Sequence, residues 1–315
     1  MAERKRGFTL VELLVVIAII ALLMSILLPA LSEARRSARN IVSLSNLRDL
    51  GNSMHLYAGE YKEGFLFPWD ERPNAPEARG WYTAYVDRPP GSGWEFRDSG
   101  RQTEMFAAHW ASLMMRWISP GQLANPIQFS PADRRLIERF NRDLNEQELD
   151  RWIWDGSYFY SPTFWFNSSR YANTTAGLPS RQLLRRNKLS DVIFPASKVM
   201  LWERFDYTKT SRSSPTGRIN EPPQWNNPFA TPNFVRVDGS TDTYEITRIA
   251  AAAASSDPEV ARTFTPSGFW DLSTGILGAY AMDRDGLENG SGGTGRYPAY
   301  FWATRDGVKG RDLPR

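Results

Sequence analysis

The sequence predicts an α+β fold, in which a long N-terminal transmembrane and stem helix packs on an aromatic-rich, mainly antiparallel β-sheet domain. Three patterns carry that prediction. An uncharged apolar run extends from Leu13 to Leu31. Apolar residues then recur at intervals of three or four as far as Tyr61. From Tyr158 onward, short runs of aromatic and β-branched residues alternate with turn formers, and one pair of runs flanks Asp238-Gly239.

The first element is the apolar run. Its 19 residues suffice to cross about 30 Å of hydrocarbon as a helix rising about 1.5 Å per residue. An ordinary secretory signal would also begin with bases such as Arg4, Lys5 and Arg6. However, the run is longer than a typical signal core, and no A-x-A-like site follows Leu28. Glu12 fits neither simple reading. A carboxylate at mid-membrane costs about 2.5–3.5 kcal/mol on insertion scales, less near the end of a span. It therefore calls for a partner, and no Lys or Arg lies between Phe8 and Leu31.

The second element continues the first. Leu31, Ala34, Ala38, Ile41, Leu44, Leu47, Leu50, Met54, Tyr57 and Tyr61 form an apolar stripe at helical spacing, while Ser32, Arg35, Arg36, Arg39, Asn40 and Arg48 fall largely on other faces. Gly51 is a weak point within it. A helix from Phe8 to Tyr61 would be a rod on the order of 80 Å long, half in membrane or filament core and half on the body.

Residues 68–100 combine Pro and Gly with Trp69, Trp81, Tyr82, Tyr85 and Trp94 and read as a long ordered loop. Next comes a helix whose N-cap is expected at Ser130, with Pro131 first inside and Asp133 as a capping acid. It runs to Leu144 with an apolar face of Leu136, Ile137, Phe140 and Leu144. Strands are expected over 158–166, 198–205, 234–237 and 241–246, the last two closed by the Asp238-Gly239 turn.

Composition removes several function classes. The chain holds 38 bases and 35 acids. Residues 1–50 hold seven and four of them, which leaves 31 of each in the body. A neutral body offers no broad field for nucleic acid, and none is expected as a partner. The chain has no Cys, which excludes disulfides and thiolate chemistry. Its two histidines, His55 and His109, sit in structural settings. The sequence carries no P-loop, HExxH or G-x-S-x-G. The GSGGTG run at 290–295 lacks the strand before it and the helix after it that a dinucleotide loop needs.

Arg4, Lys5 and Arg6, then Gly7, then Phe8-Thr9-Leu10-Val11-Glu12-Leu13 and an apolar run resemble the N-terminal signal of type IV pilins and type II secretion pseudopilins. The resemblance implies that a prepilin peptidase/methyltransferase cuts between Gly7 and Phe8 and N-methylates Phe8. It also implies that Glu12 is required for assembly and that Pro29 bends the helix. The chain then divides into a leader peptide (1–7), a transmembrane assembly helix (8–31), an amphipathic stem (32–61) and a globular α+β body (62–315). The implied partners are copies of itself or other pilins and pseudopilins, an inner-membrane assembly platform and membrane lipid. The implied location is the inner membrane as a single-pass protein, N-terminus cytoplasmic and body periplasmic, followed by a periplasmic or cell-surface filament. Glu12 gains a physical reason from this. After cleavage the Phe8 α-amino group is a cation in an apolar setting, and Glu12 of a neighbouring subunit can neutralise it.

The function expected is thus a non-enzymatic structural subunit of a pilus or pseudopilus, with a body large enough for a minor or tip subunit. A finer similarity, to the large pilin-like proteins of planctomycete-type bacteria, rests on the segment from Tyr57-Ala58 to Pro68, on Pro195-Ala196-Ser197-Lys198 and on the Asp238-Gly239 hairpin, where Ser240 replaces the usual His. The alternative is a membrane-tethered envelope or carbohydrate-binding protein gripping its ligand with exposed aromatics. An enzyme would need acids such as Asp206, Asp238, Asp271 and Asp283 to converge. No cofactor is expected. Asp283, Asp285, Glu288 and Asn289 do place oxygen ligands around Gly286 as a candidate calcium loop, although a solvated acidic turn explains them as well.

Overall fold

The computed structural model describes residues 10–67, 81–86, 94–99, 110–111, 113–120, 124–145, 156–172, 185–209, 222–268 and 297–314. Helix α1, Leu10–Glu60, is 51 residues long, a rod of about 77 Å. It continues through Pro29, whose missing N–H leaves one carbonyl in the preceding turn without its helical bond. The helix ends where Lys62 (φ 53°) and Glu63 (φ 66°) adopt left-handed backbone. There the Glu63 N–H donates to the Ala58 carbonyl at 2.8 Å and covers one of the orphaned C-terminal acceptors.

The apolar stripe divides in two. Every residue from Leu10 to Arg39 is exposed, including Leu31, Ala34 and Ala38, and Ile41 remains exposed beyond them. Burial begins at Ser43 and continues through Leu47, Leu50, Gly51, Ser53, Met54, Tyr57 and Ala58. The expected packing of the stripe on the body thus holds only for its second half. At the far end Tyr61 is also half out, stacked on Tyr57 at 4.3 Å.

That second half lies across a four-stranded antiparallel sheet of order β3-β4-β5-β6, built from β3 (Tyr158–Tyr160), β4 (Val199–Glu203), β5 (Asn233–Arg236) and β6 (Thr241–Thr243). Gly51 sits at the crossing. A Cβ there would lie 3.1 Å from Val235 Cγ2 and 3.6 Å from Met200 Cε. The residue that looked like a weak point in the helix is what lets its backbone approach the sheet.

Alternation along the strands separates two layers. Tyr158 and Glu203 stand opposite each other across β3 and β4 and both reach Ser43 on α1. Phe159 and Trp202 form the next opposed pair and meet Trp302 and Phe301. Trp225 stacks on Phe301 at 5.3 Å and meets Trp202 edge-on at 5.1 Å. The sheet is therefore covered by α1 on one face and by residues of the 222–230 and 297–314 segments on the other. The C-terminal segment is fixed by Asp312. Its Oδ2 accepts from the Val199 N–H at 2.7 Å, and its carboxylate pairs with the fully buried Lys198 at 3.1 Å. Burial pushes Lys198 down and Asp312 up, and their attraction opposes both shifts.

Several boundaries differ from those read in the sequence. The strand expected over 158–166 stops at Tyr160, because Ser161 caps a 3-10 turn at Pro162–Phe164 by accepting from the Thr163 N–H. Pro162 could not have continued the ladder. The hairpin at Asp238-Gly239 forms, with Gly239 at φ 83°, but Ile246 starts helix α4 (Ile246–Ala253) rather than ending a strand. Helix α5 (Pro258–Phe264) follows, capped by Asp257. Within the expected loop, β1 (Trp81–Val86) and β2 (Trp94–Ser99) pair as an antiparallel hairpin. The helix expected from Ser130 begins later. After the single turn α2 (Met115–Ile118), helix α3 spans Arg134–Asn145. Its cap is Asp133, which accepts from the Leu136 N–H at 3.2 Å. Leu136 and Phe140 pack on Ala124 and Phe129, whereas Leu144 is exposed.

The Gly51 crossing predicts a size-graded response. Gly51→Ala should leave stability nearly unchanged, because its gain in helix propensity of up to about 1 kcal/mol offsets a tight contact. Gly51→Leu should cost about 1–3 kcal/mol or more by overpacking against Val235, read as a lower denaturant midpoint for the detergent-solubilised chain.

Candidate functional site: the exposed helix and its joint with the body

Two regions of α1 hold the candidate functional residues. The first is its uncovered N-terminal part. From Leu10 to Arg39 it presents about 45 Å of helix that no other part of the described chain touches closely enough to bury. This segment is long and apolar enough to cross a membrane. Glu12 lies in its first turn and is exposed, and Pro29 lies within the helix.

The second region is the joint where α1 enters the body, built on Glu203 at the end of β4. Glu203 is 2% exposed. Its Oε1 accepts from Ser43 Oγ of α1 at 2.6 Å and from Ser130 Oγ at 2.9 Å, and its Oε2 accepts from the Asn233 N–H at 3.2 Å. Ser43 has one proton and gives it to Glu203, so Tyr158 donates its phenolic proton to Ser43 at 3.0 Å. Further hydrogen bonds tie the helix to β5 and β6. Asn233 Nδ2 donates to Asn40 Oδ1 at 2.6 Å, and Thr243 Oγ1 donates to Asn233 Oδ1 at 2.6 Å. Asp133 joins the network through its N–H, which donates to the Ser130 carbonyl at 2.9 Å, and its carboxylate accepts from Ser157 Oγ at 2.8 Å and from the Tyr207 hydroxyl at 2.7 Å.

Beside this network lies a cavity of about 40 Å³ lined by residues that include Arg36, Arg39, Asn40, Ser43 and Glu203. Burial pushes the Glu203 carboxyl up to about 7, and the hydrogen bonds from Ser43, Ser130 and the Asn233 backbone pull it only part of the way back. One carboxylate thus joins α1, the segment before α3, and the central strands β4 and β5.

The residues singled out in the sequence fall into three groups. Glu12 and Pro29 lie on the exposed helix. Gly7 and Phe8, the calcium-loop residues Asp283, Asp285, Glu288 and Asn289, the 290–295 glycine run, His109 and Asp271 lie outside the described residues. The remaining acids do not form a site. Asp206 is buried and accepts from the Thr208 and Thr231 backbone N–H groups, while Asp238 is exposed and accepts from the Ser240 N–H. Among the described residues no group of three or more His, Cys, Asp or Glu is placed to hold a metal ion. Trp110, Trp165, Trp202, Trp225 and Trp302 are fully buried, so these five are core and do not grip an external ligand.

Comparison with known proteins bears on the first region. Residues 3–28 match the family described as the prokaryotic N-terminal methylation motif. This is a type IV pilin-like N-terminus. The chain is 46% identical over 52 residues to the type IV wide pilus major component of Thermus thermophilus, a match that covers 16% of this chain and 40% of the relative. The chain thus spans two fifths of that relative's length. No solved structure matches the chain.

The Glu203 joint is not legible in the sequence. Ser130 has the local form of a helix cap, and nothing in the spacing of Ser43, Ser130 and Glu203 marks them as neighbours. The signal available is a Ser at 43 that stands one helical turn before the apolar Leu47 and two before Leu50.

The raised Glu203 carboxyl fixes a pH dependence. The native state holds this proton up to about pH 7, whereas the unfolded chain releases it near 4.5. Its contribution to stability is therefore full below about 4.5 and is lost as pH rises through about 7, by up to about 3 kcal/mol. Thermal unfolding of the wild type should show this decline between those pH values. Glu203→Gln, which does not titrate, should flatten that part of the profile while keeping acceptors for Ser43 and Ser130.

Proposed function

We propose that the chain is a structural subunit of a type IV pilus or type II secretion pseudopilus, cleaved between Gly7 and Phe8, N-methylated on Phe8 and assembled through α1. The observation that carries this reading is the conjunction of the methylation motif over residues 3–28 with a helix exposed from Leu10 to Arg39. Only about 20 residues of helix are needed to cross a bilayer. The exposed apolar face continues past that length to Ile41 and Val42, which is surface that another subunit can cover and lipid tails cannot.

Within such an assembly Glu12 would neutralise the Phe8 α-amino group of the next subunit. Either charge alone is costly among apolar helices, and the requirement to pair them fixes the axial register between neighbours. The body supports a minor or tip position. The Thermus thermophilus relative is about 130 residues long, since 52 residues make up 40% of it, and residues 62–315 are about twice that length.

Intact mass of the protein purified from its native cells tests the processing step. The expected result is loss of the first seven residues and gain of one methyl group. A chain that keeps Met1, or that begins near Ala34, would overturn it. Glu12→Ala tests assembly separately: the variant should be processed and remain in the membrane fraction, yet be absent from sheared filaments, and normal incorporation would count against the role of Glu12.

A further inference from the structure

The basic side chains that follow the apolar run are the charged feature the assembly reading leaves unexplained. Arg35, Arg36 and Arg39 stand four to eight residues beyond Leu31 against the single acid Glu33. Along the axis, Arg36 lies about 7 Å and Arg39 about 12 Å past the end of the apolar run. The headgroup zone on each side of a bilayer is about 5–8 Å deep. Helix side chains lean towards the N-terminus, and long arginines extend several ångströms that way, so both guanidinium groups fall at headgroup level when Leu13–Leu31 spans the hydrocarbon.

Their internal commitments are weak. Arg36 pairs with Glu33 at 2.7 Å, but both side chains are more than half exposed, and such a pair contributes little. Arg39 makes no ion pair among the described residues. Both arginines line the polar cavity at the joint, next to Asn40, whose Oδ1 is taken up by Asn233 and whose amide N–H groups can donate outward. A basic mouth beside the body, at the depth of lipid phosphates, is a built recess and not merely a charged helix flank.

We propose that Arg36 and Arg39, with Asn40, bind the phosphodiester of an anionic phospholipid headgroup and seat the body against the membrane surface before assembly. This rests on reading α1 as a membrane span. The planar guanidinium groups suit bidentate phosphate contacts. The phosphate sits at the mouth, since a cavity of about 40 Å³ has room for a water that separates it from Glu203 on the cavity wall. Lateral movement into a filament breaks these contacts, so the site acts in the membrane-resident subunit.

The test uses the full chain in phosphatidylcholine vesicles with and without phosphatidylglycerol. Flotation first reports membrane insertion, and then lipid retained by the detergent-extracted protein is identified by mass spectrometry. Wild type should retain phosphatidylglycerol over phosphatidylcholine. Arg36→Gln/Arg39→Gln should lower that preference about twenty-five-fold, a factor of about five for each charge. Arg48→Gln, an exposed base farther along the stem, should leave it unchanged. Equal retention of both lipids, or an unaltered preference in the double variant, overturns the proposal, as does displacement of the lipid by inorganic phosphate at equal concentration, which would mark a general anion site. Failure of the wild type to float would instead overturn the membrane reading of α1, and the two failures are thereby told apart.

Discussion

One helix has to satisfy two environments, and the rest of the architecture follows from where the change occurs. Below Asn40, α1 is an ordinary core element. Leu47, Leu50 and Met54 are fully buried, and Gly51 removes the one Cβ that would hold the backbone off Val235. Above Asn40 the same helix has no cover of its own. Fully burying one Leu-sized side chain is worth about 1.5–3 kcal/mol, and this half of α1 carries many that are about half or more exposed. A bilayer or a bundle of like helices is therefore part of the structure's physical definition, and the methylation motif at residues 3–28 fits that requirement.

The change of environment is marked by polar chemistry. Ser43, Ser130, Tyr158, Glu203 and Asn233 form a connected network at the level where apolar burial starts. Its value is geometric. Apolar packing tolerates sliding of a helix along a sheet, whereas a carboxylate bonded to one serine on α1 and one backbone N–H on β5 does not, so the network fixes the axial position of the helix on the body.

Legibility followed the range of the interactions. The exposed helix, the stem and the Asp238-Gly239 hairpin were readable because each depends on residues close in sequence: uncharged length, spacing of three to four, and a turn that needs a left-handed Gly239. The element ends were less so. Ser130-Pro131 has the local form of a helix start, yet Ser130 is drawn into the Glu203 network and Asp133 takes over as cap. The 81–99 hairpin was hidden among Pro and Gly, and α4 by an alanine run that carries no periodic signal. The joint itself, and the pairing of Lys198 with Asp312, depend on contacts between residues more than a hundred positions apart, which pattern reading cannot supply.

The path that force takes through the molecule follows from the position of α1. The helix crosses β5, an interior strand flanked by β4 and β6, so tension entering through α1 is delivered to the middle of the sheet and not to an edge strand that could peel away. The C-terminal segment is tied to the adjoining strand β4 through Asp312 and the Val199 N–H. The helix and the C-terminal segment of the body thus anchor on neighbouring central strands, which the β4–β5 ladder joins directly. In a protein with no cysteine to cross-link it, this arrangement lets non-covalent contacts share the load.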